Sequence, residues 1–392
     1  MGIVRTIIEQ PEEFPPLVQM AWAAHKAKRL PKEPNLAFCY DMLNRVSRSF
    51  AIVIQQLPIE LRDPVCIFYL VLRALDTVED DMAIPAPDKL PTLISFHEKI
   101  FDRHFKSQCG YGAYVRLMNQ YPRVTDVFVR LDPKYQKVIA DITRRMGAGM
   151  AKYIQQDVET IADYDEYCHF VAGLLFAQSG LEAAAFADME ALSNYMGLFL
   201  QKTNIIRDFL EDIEEEPAPR MFWPKEIWGL YGEALADFKD PSNASQAVQC
   251  LNHMVTDALR HAPECLRYME QVQDPQNFRF CAIPQVMAVG TLALCYNNPK
   301  VFTGVVKMRR GQVASFMLQV QTMKEVYQIF HQFATTIATK SQSAAAARDP
   351  NADKTLAASQ NLQELCAKAL GRTSAELIKS WQGQRLLAGP WK

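Results

Sequence analysis

The sequence predicts an all-α protein. Three observations carry the prediction. Apolar residues recur at helical spacing along most of the 392 residues, in segments dense with good helix formers. No alternating apolar and polar run is closed by hairpin turn chemistry. An acidic phrase, Asp-x-x-Glu-Asp, occurs twice inside stretches that are apolar all round, the mark of a buried helix.

Taken in order, helices are expected over 36–55, 62–83, 91–106, 134–154, 163–181, 188–213, 243–271, 280–297 and 311–340. Turn chemistry sets their ends. Leu57-Pro58 closes the first, and the segment from Pro85 to Pro91 separates the second from the third. Asp132-Pro133 opens the fourth, Asp240-Pro241 precedes the seventh, and Asp274-Pro275 follows it. Met146-Gly147-Ala148-Gly149-Met150 is a G-x-G inside a helical pattern, which suits close helix packing better than phosphate binding. After Thr339 the chain turns small and polar ("SQSAAAARDPNADKTLAASQ") and reads as a linker or loose tail.

The acidic phrases are Asp76-Thr77-Val78-Glu79-Asp80 and Asp208-Phe209-Leu210-Glu211-Asp212. On a helix, positions i, i+3 and i+4 share a face, so each phrase presents three carboxylates together. Two unit charges about 4 Å apart repel by roughly 4 kcal/mol at an effective dielectric near about 20, so such a cluster calls for a cation. Hard oxygen donors suit Mg²⁺, which completes its shell with water and substrate phosphate. Two clusters can hold several Mg²⁺ ions and grip a diphosphate as leaving group. The competing reading of a single copy is a solvated helix face, which two copies in apolar helices fit poorly.

Composition narrows the class. The chain is 49% hydrophobic with a formal charge of −2, so no basic bias points to nucleic acid or to an anionic membrane surface. Nine scattered cysteines form no C-x-x-C pair and read as buried, reduced thiols of a cytosolic protein. The N-terminus lacks the apolar core of a signal peptide, and Met1-Gly2 with Thr6 matches a myristoylation signal only formally. The most apolar stretch, Cys281–Asn298, reads as a core helix. No Gly/Ser or Pro-rich linker divides the first 335 residues, which favours one large domain.

Around these phrases stand the blocks "VSRSFAIVIQQLP", "CIFYLVLRALDTVEDDM", "DITRRMGAGMAKYI", "DYDEYCHFVAGL", "MGLFLQKTNIIRDFLEDI", "RMFWPKEIW", "FRFCAIPQVMA" and "VVKMRRGQ". Together, over roughly residues 36–335, they resemble the squalene synthases of the head-to-head trans-prenyltransferase (squalene/phytoene synthase) family, closest to the plant and green-algal branch. The resemblance implies a single-domain isoprenoid synthase fold, helices around a central cavity with the acidic phrases facing across it. It divides the chain into an N-terminal extension (1–35), a catalytic domain (36–335) and a C-terminal tail (336–392).

The implied chemistry joins two farnesyl diphosphates. Mg²⁺ held by Asp76, Glu79, Asp80, Asp208, Glu211 and Asp212 assists loss of one diphosphate. The allylic cation alkylates the other molecule, and proton loss closes the cyclopropane of presqualene diphosphate. A second ionisation, rearrangement and hydride from NADPH give squalene. Ser47, Arg48, Ser49, Arg73 and Arg207 are implied diphosphate contacts, arginine being suited by its bidentate fork. A salt bridge to the neighbouring acids is the other reading of Arg73 and Arg207. Tyr167 matches the family tyrosine of the first half-reaction; without the resemblance it reads as core. His169 reads as a satisfied helix histidine. Lys307 and Arg309 match positions that bind NADPH phosphates, against the plainer reading of a basic helix end. Gln201 and Asn204 offer polar contacts. Phe50, Phe68, Tyr69 and Phe280 line the apolar wall, where aromatic faces stabilise a carbocation.

The sequence departs from the family pattern in three places. After Val171-Ala172-Gly173 it is about seven residues short, roughly two helical turns, which puts the register of the Tyr167 helix in question. Phe170 replaces a common tyrosine. The family's C-terminal anchoring helix is not seen in "SWQGQRLLAGPWK": either it was removed or this form is soluble, although the family sits on the cytosolic face of the endoplasmic reticulum; a monomer is expected. The rivals are a phytoene-type synthase without NADPH, an enzyme that stops at presqualene diphosphate, and a non-catalytic family member. A di-iron bundle needs a pair of Glu-x-x-His motifs, which the chain does not carry.

Overall fold

The computed structural model describes residues 11–27, 30–47, 49–55, 57–173, 186–216, 219–343 and 349–382. Among the described residues there is no strand. After a 3-10 turn at Pro11–Glu13 come α1 (Phe14–Ala27), α2 (Pro34–Val46), α3 (Ser49–Ile54), α4 (Ile59–Asp80), α5 (Ala86–Lys99), α6 (Ala113–Asn119), α7 (Tyr121–Phe128), α8 (Pro133–Gln155) and α9 (Ile161–Val171). They are followed by α10 (Phe186–Arg207), α11 (Phe209–Ile213), α12 (Lys225–Trp228), α13 (Ala244–Leu259), α14 (Ala262–Gln271), α15 (Pro275–Cys295), α16 (Arg310–Gln319), α17 (Met323–Ser341), α18 (Ala352–Ala369) and α19 (Ser374–Gln382).

The helix ends show why several differ from expectation. Asp132 and Asp274 cap α8 and α15, each accepting from backbone amides two or three residues on, with proline at the first helical position. α5 starts at Ala86 rather than 91: Pro87 falls at its second position, where a missing amide costs little, and the helix carries Pro91 in its interior. The expected helix 243–271 is two: Pro263, at the second position of α14, cannot continue the ladder from α13. The expected helix 311–340 is also two. Thr322 and Glu325 form a reciprocal capping box that starts α17 afresh. The expected 36–55 helix breaks after Val46, and the short helices α6 and α7 went unanticipated.

The chain divides into two compact units. The smaller takes in Ala21–Asp157 with Glu216–Ala218. Within it α4 packs against α2, α5, α7 and α8. α8 reaches α5 through Gly147, where a Cβ would lie 2.2 Å from the Leu93 carbonyl oxygen. The G-x-G at this helix thus serves close packing, as expected.

The larger unit takes in Met1–Met20, Val158–Glu215 and Pro219–Lys392. Its centre is α10, which packs on α9, α13, α14 and α15. By length and composition α15 could cross a bilayer, but 78% of its most apolar window is buried within the protein. It is a core helix, in line with the reading of Cys281–Asn298. The loose-tail reading of the segment after Thr339 is corrected by α18, which packs on α17 and α13. Thr355, Ser359, Leu362, Gln363, Cys366 and Ala367 form its buried face at helical spacing. Half of that face is polar (Thr355, Ser359 and Gln363), so hydropathy gave no sign of it. The nine cysteines are all buried and unpaired with one another.

Candidate functional site

The first acidic phrase occupies the last turn and a half of α4, in the smaller unit. Glu79 is only 3% exposed, while the Asp76 side chain keeps 21% of its surface. Arg73, one turn earlier, lies 3.4 Å from the Asp76 carboxylate and donates at 3.5 Å to the Tyr69 hydroxyl. The Tyr69 and Tyr114 rings flank its guanidinium at 5.7 and 5.9 Å. Burial opposes its charge, but Asp76 and Tyr69 outweigh burial and hold its pKa above the ordinary value. Arg73 Nε is buried without a hydrogen-bond partner. Phe68 and Tyr69 are half-buried in the same helix.

The C-terminal end of α4 is fastened by groups the sequence did not reveal. Lys89, 4% exposed, donates from Nζ to the carbonyls of Glu79 and Asp81, both at 2.9 Å. Asp81 in turn accepts from the Gly110 amide at 2.7 Å. Gly110 sits at φ +87°, and a Cβ there would lie 2.5 Å from Thr77 Cγ2. Both the backbone angle and the close approach require glycine.

The second phrase, in the larger unit, does not lie on one unbroken helix as expected. α10 ends at Arg207, Asp208 sits between helices at φ −90° and ψ 11°, and α11 carries Glu211 and Asp212. The ladder bonds Asp208 N to Asn204 O and Asp212 N to Asp208 O persist at 2.9 Å, so the bend is local. Arg207 grips the Asp208 carboxylate with Nε and Nη2 at 2.7 and 2.5 Å. Burial works against the guanidinium, and the Asp208 bond prevails, raising its pKa. Asp208, Glu211 and Arg207 line a small pocket with Leu210, Gly304, Val305 and Val306.

Tyr167, on α9, is 2% exposed and stacks on Phe222 at 4.0 Å, nearly parallel. Arg220 covers Phe222 at 5.0 Å, and its amide donates to the Asp212 carbonyl at 2.9 Å. A ladder of rings and a cation therefore joins the tyrosine to the end of the second phrase. His169 pairs with Asn194 at 2.8 Å, a satisfied helix histidine as expected. A buried ion cluster holds α9, α10 and α13 together. Lys202, fully buried, reaches Asp165 at 2.5 Å and also Asp257, and Arg260 bonds both carboxylates.

Val305 to Arg309 lies outside any helix, with exposed Val305 and Lys307 alternating with buried Val306 and Met308. Lys307 and Arg310 are exposed. Arg309 is engaged: its Nε and Nη2 donate to Glu13 Oε1 at 2.9 and 2.7 Å, and Glu13 is 4% exposed. Gly311 makes room for that carboxylate, since a Cβ would meet Glu13 Oε2 at 2.2 Å. Gln201 and Phe280 are half-buried and Asn204 is exposed, all in the larger unit.

Ser47 ends α2, its hydroxyl donating at 2.7 Å to the Leu43 carbonyl. Arg48 and the side chains of Ser49 and Phe50 lie outside the described residues, as does the shortened stretch after Gly173, residues 174–185. Among the described residues, no three or more His, Cys, Asp and Glu converge as a closed metal set. The donors fit Mg²⁺ nonetheless: they are all carboxylates, each but Glu79 on a partly open residue, with arginines beside them, and this ion keeps several waters and takes only one or two carboxylates plus phosphate.

A strand-free helical scaffold with two such arginine-flanked phrases is of the isoprenoid synthase class. The structure superposes on that of TcSQS in complex with the ligand E5700 with a TM-score of 0.81 and 46% identity, covering 86% of this chain and 99% of that one. The squalene/phytoene synthase family profile matches residues 43–312. Squalene synthase LSS of Botryococcus braunii is 57% identical over 94% of this chain and 81% of its own length. Squalene synthase 1 of Arabidopsis thaliana is 54% identical over 94% and 91%. The chain belongs to the squalene/phytoene synthase family.

Proposed function

We propose that the chain is a farnesyl-diphosphate farnesyltransferase. It condenses two farnesyl diphosphates head to head to presqualene diphosphate and reduces this to squalene with NADPH. The observation that carries the reading is that each acidic phrase keeps all three carboxylates and has an arginine held charged beside it. High identity to squalene synthases supports the same reading.

Asp76, Glu79, Asp80, Asp208, Glu211 and Asp212 would hold Mg²⁺, which supplies Lewis-acid neutralisation of the departing diphosphate. Arg73 and Arg207 bind diphosphate oxygens, with Ser47, Arg48 and Ser49 as further donors. Against the pull of burial, the contacts with Asp76 and Tyr69 and with Asp208 keep the two arginines charged throughout the reaction. Tyr167, fixed against Phe222, orients the leaving group or takes the cyclopropane proton. Phe50, Phe68, Tyr69 and Phe280 form apolar wall that keeps water from the cation, and Gln201 and Asn204 add polar contacts. NADPH supplies the hydride of the second step. Lys307 binds its phosphate, with Arg310 as a further exposed cation nearby, while Arg309 acts within its pair with Glu13. By the same likeness the enzyme works at the cytosolic face of the endoplasmic reticulum membrane, as a monomer.

The test is incubation with farnesyl diphosphate and Mg²⁺, with and without NADPH, followed by product analysis. Squalene only with NADPH is the expected result. Presqualene diphosphate alone under both conditions removes the reductive step from the assignment. No product from folded protein overturns it.

A further inference from the structure

We propose that Lys89 is a positioning residue for the first acidic phrase, and that losing it weakens divalent-cation capture there while the chain still folds. The inference rests on the reading that Asp76, Glu79 and Asp80 hold Mg²⁺. The last carbonyls of a helix have no partner within it, and a cation at that end also meets the negative pole of the helix dipole. Lys89 supplies both needs for α4, donating to the Glu79 and Asp81 carbonyls at 2.9 Å. It does so from the interior, at 4% exposure, where an ammonium without such partners is strongly disfavoured. Its placement is therefore specific.

A second contact shows that this helix end is built to be held. Asp81 leaves the helix in an extended conformation, φ −72° and ψ 95°, and accepts from Gly110 at 2.7 Å and Ala83 at 3.0 Å. Glu79, whose carbonyl Lys89 binds, is itself a member of the phrase. With the last turn locked, Asp76, Glu79 and Asp80 keep one face, and a cation finds its oxygens already arranged. Without Lys89 the Glu79 carbonyl loses its lysine donor and the Asp81 carbonyl keeps only the Ile84 amide at 3.2 Å, the turn frays, and each binding event must re-form it. Positioning partners behind metal-binding side chains typically matter by about 10- to 100-fold in affinity.

The experiment is thermal unfolding of the full chain with MgCl₂ titrated in the presence of inorganic pyrophosphate, in an Asp208→Asn background that silences the second phrase. Lys89→Met should unfold within a few degrees of its parent in EDTA but need about tenfold more Mg²⁺ for half of the stabilisation. Lys89→Arg, which keeps the charge and the donors, should recover much of the shift. A folded Lys89→Met with the parent's Mg²⁺ midpoint overturns the proposal. If the Met variant does not fold, Lys89→Gln, neutral and still able to donate to one carbonyl, carries the same comparison. The two readings fail differently. If the parent and Asp76→Asn respond identically to Mg²⁺, the metal reading falls and takes this proposal with it. If Asp76→Asn loses the Mg²⁺ response while the folded Lys89 variant keeps the parent's midpoint, the proposal falls alone.

Discussion

Gly197 of α10 lies so close to Gly173, just past the end of α9, that a Cβ on Gly197 would sit 2.3 Å from the Gly173 Cα and amide nitrogen. With the Lys202–Asp165 ion pair at 2.5 Å and the His169–Asn194 bond at 2.8 Å, this contact sets the register of α9 against α10. The position of Tyr167 is therefore fixed by packing within the helices rather than by the length of the connection. Gly197→Ala forces the backbones apart and should cost about 1–3 kcal/mol. Urea unfolding with a parallel rate measurement checks this. A variant as stable as its parent would show that the two helices adjust freely.

Asp76→Asn and Asp208→Asn each remove one negative charge while keeping shape. Turnover should fall by at least about 10²-fold, the scale of losing one electrostatic stabiliser. Circular dichroism should remain helical, because neither side chain is deeply buried, with 21% and 26% exposure. Asp208→Asn also loosens Arg207, so it should raise KM for farnesyl diphosphate more than Asp76→Asn does. Normal turnover in either variant would sink the metal assignment.

Lys307 and Arg309 come apart as a pair of tests. Lys307→Ala, at an exposed position, should leave stability and presqualene diphosphate formation alone and slow the reduction. Arg309→Ala strands the buried Glu13 carboxylate and should destabilise the fold by about 2–3 kcal/mol, a buried-pair figure discounted for partial exposure. Product profiles and melting curves separate these outcomes. Equal loss of both half-reactions in Lys307→Ala would remove its cofactor role.

The all-helical class was legible because apolar periodicity is a direct consequence of burying one helix face, and the two acidic phrases stood out against apolar surroundings. Asp-Pro pairs marked the starts of α8 and α15 for the same local reason, a side-chain cap followed by a residue with no amide to satisfy. What stayed hidden depends on distant partners. Nothing around Lys89 says that its ammonium crosses to the Glu79 carbonyl. Nothing in "PEEF" says that Glu13 meets Arg309, nearly the whole chain away. α18 was lost because half of its inward face is polar and pairs by hydrogen bonds such as Thr256–Thr355 at 2.6 Å. The bend at Asp208 was lost because propensity does not register a single residue held by its neighbour's guanidinium.

Acid should unfold this protein through two buried histidines. His331, bonded to Ser374 at 2.8 Å, is pushed down to about 4 by burial. His261 is pushed down to about 2 by burial first, with the Lys202 and Arg260 cations adding to it. In the unfolded chain both take a proton near the ordinary value of 6.5. Below that pH the unfolded state binds more protons than the folded one, so stability falls as pH falls. The loss continues to about 4 for His331 and towards about 2 for His261. Above 6.5 neither contributes a slope. Each histidine should remove about 1.4 kcal/mol of stability per pH unit in its window. His331→Gln keeps a polar group in place without the titration. Its stability deficit relative to the parent should therefore shrink by about 1.4 kcal/mol for each unit between about pH 6 and about pH 5, read by urea unfolding. A deficit that stays constant across that range would mean that His331 is protonated in the folded protein as readily as in the unfolded one.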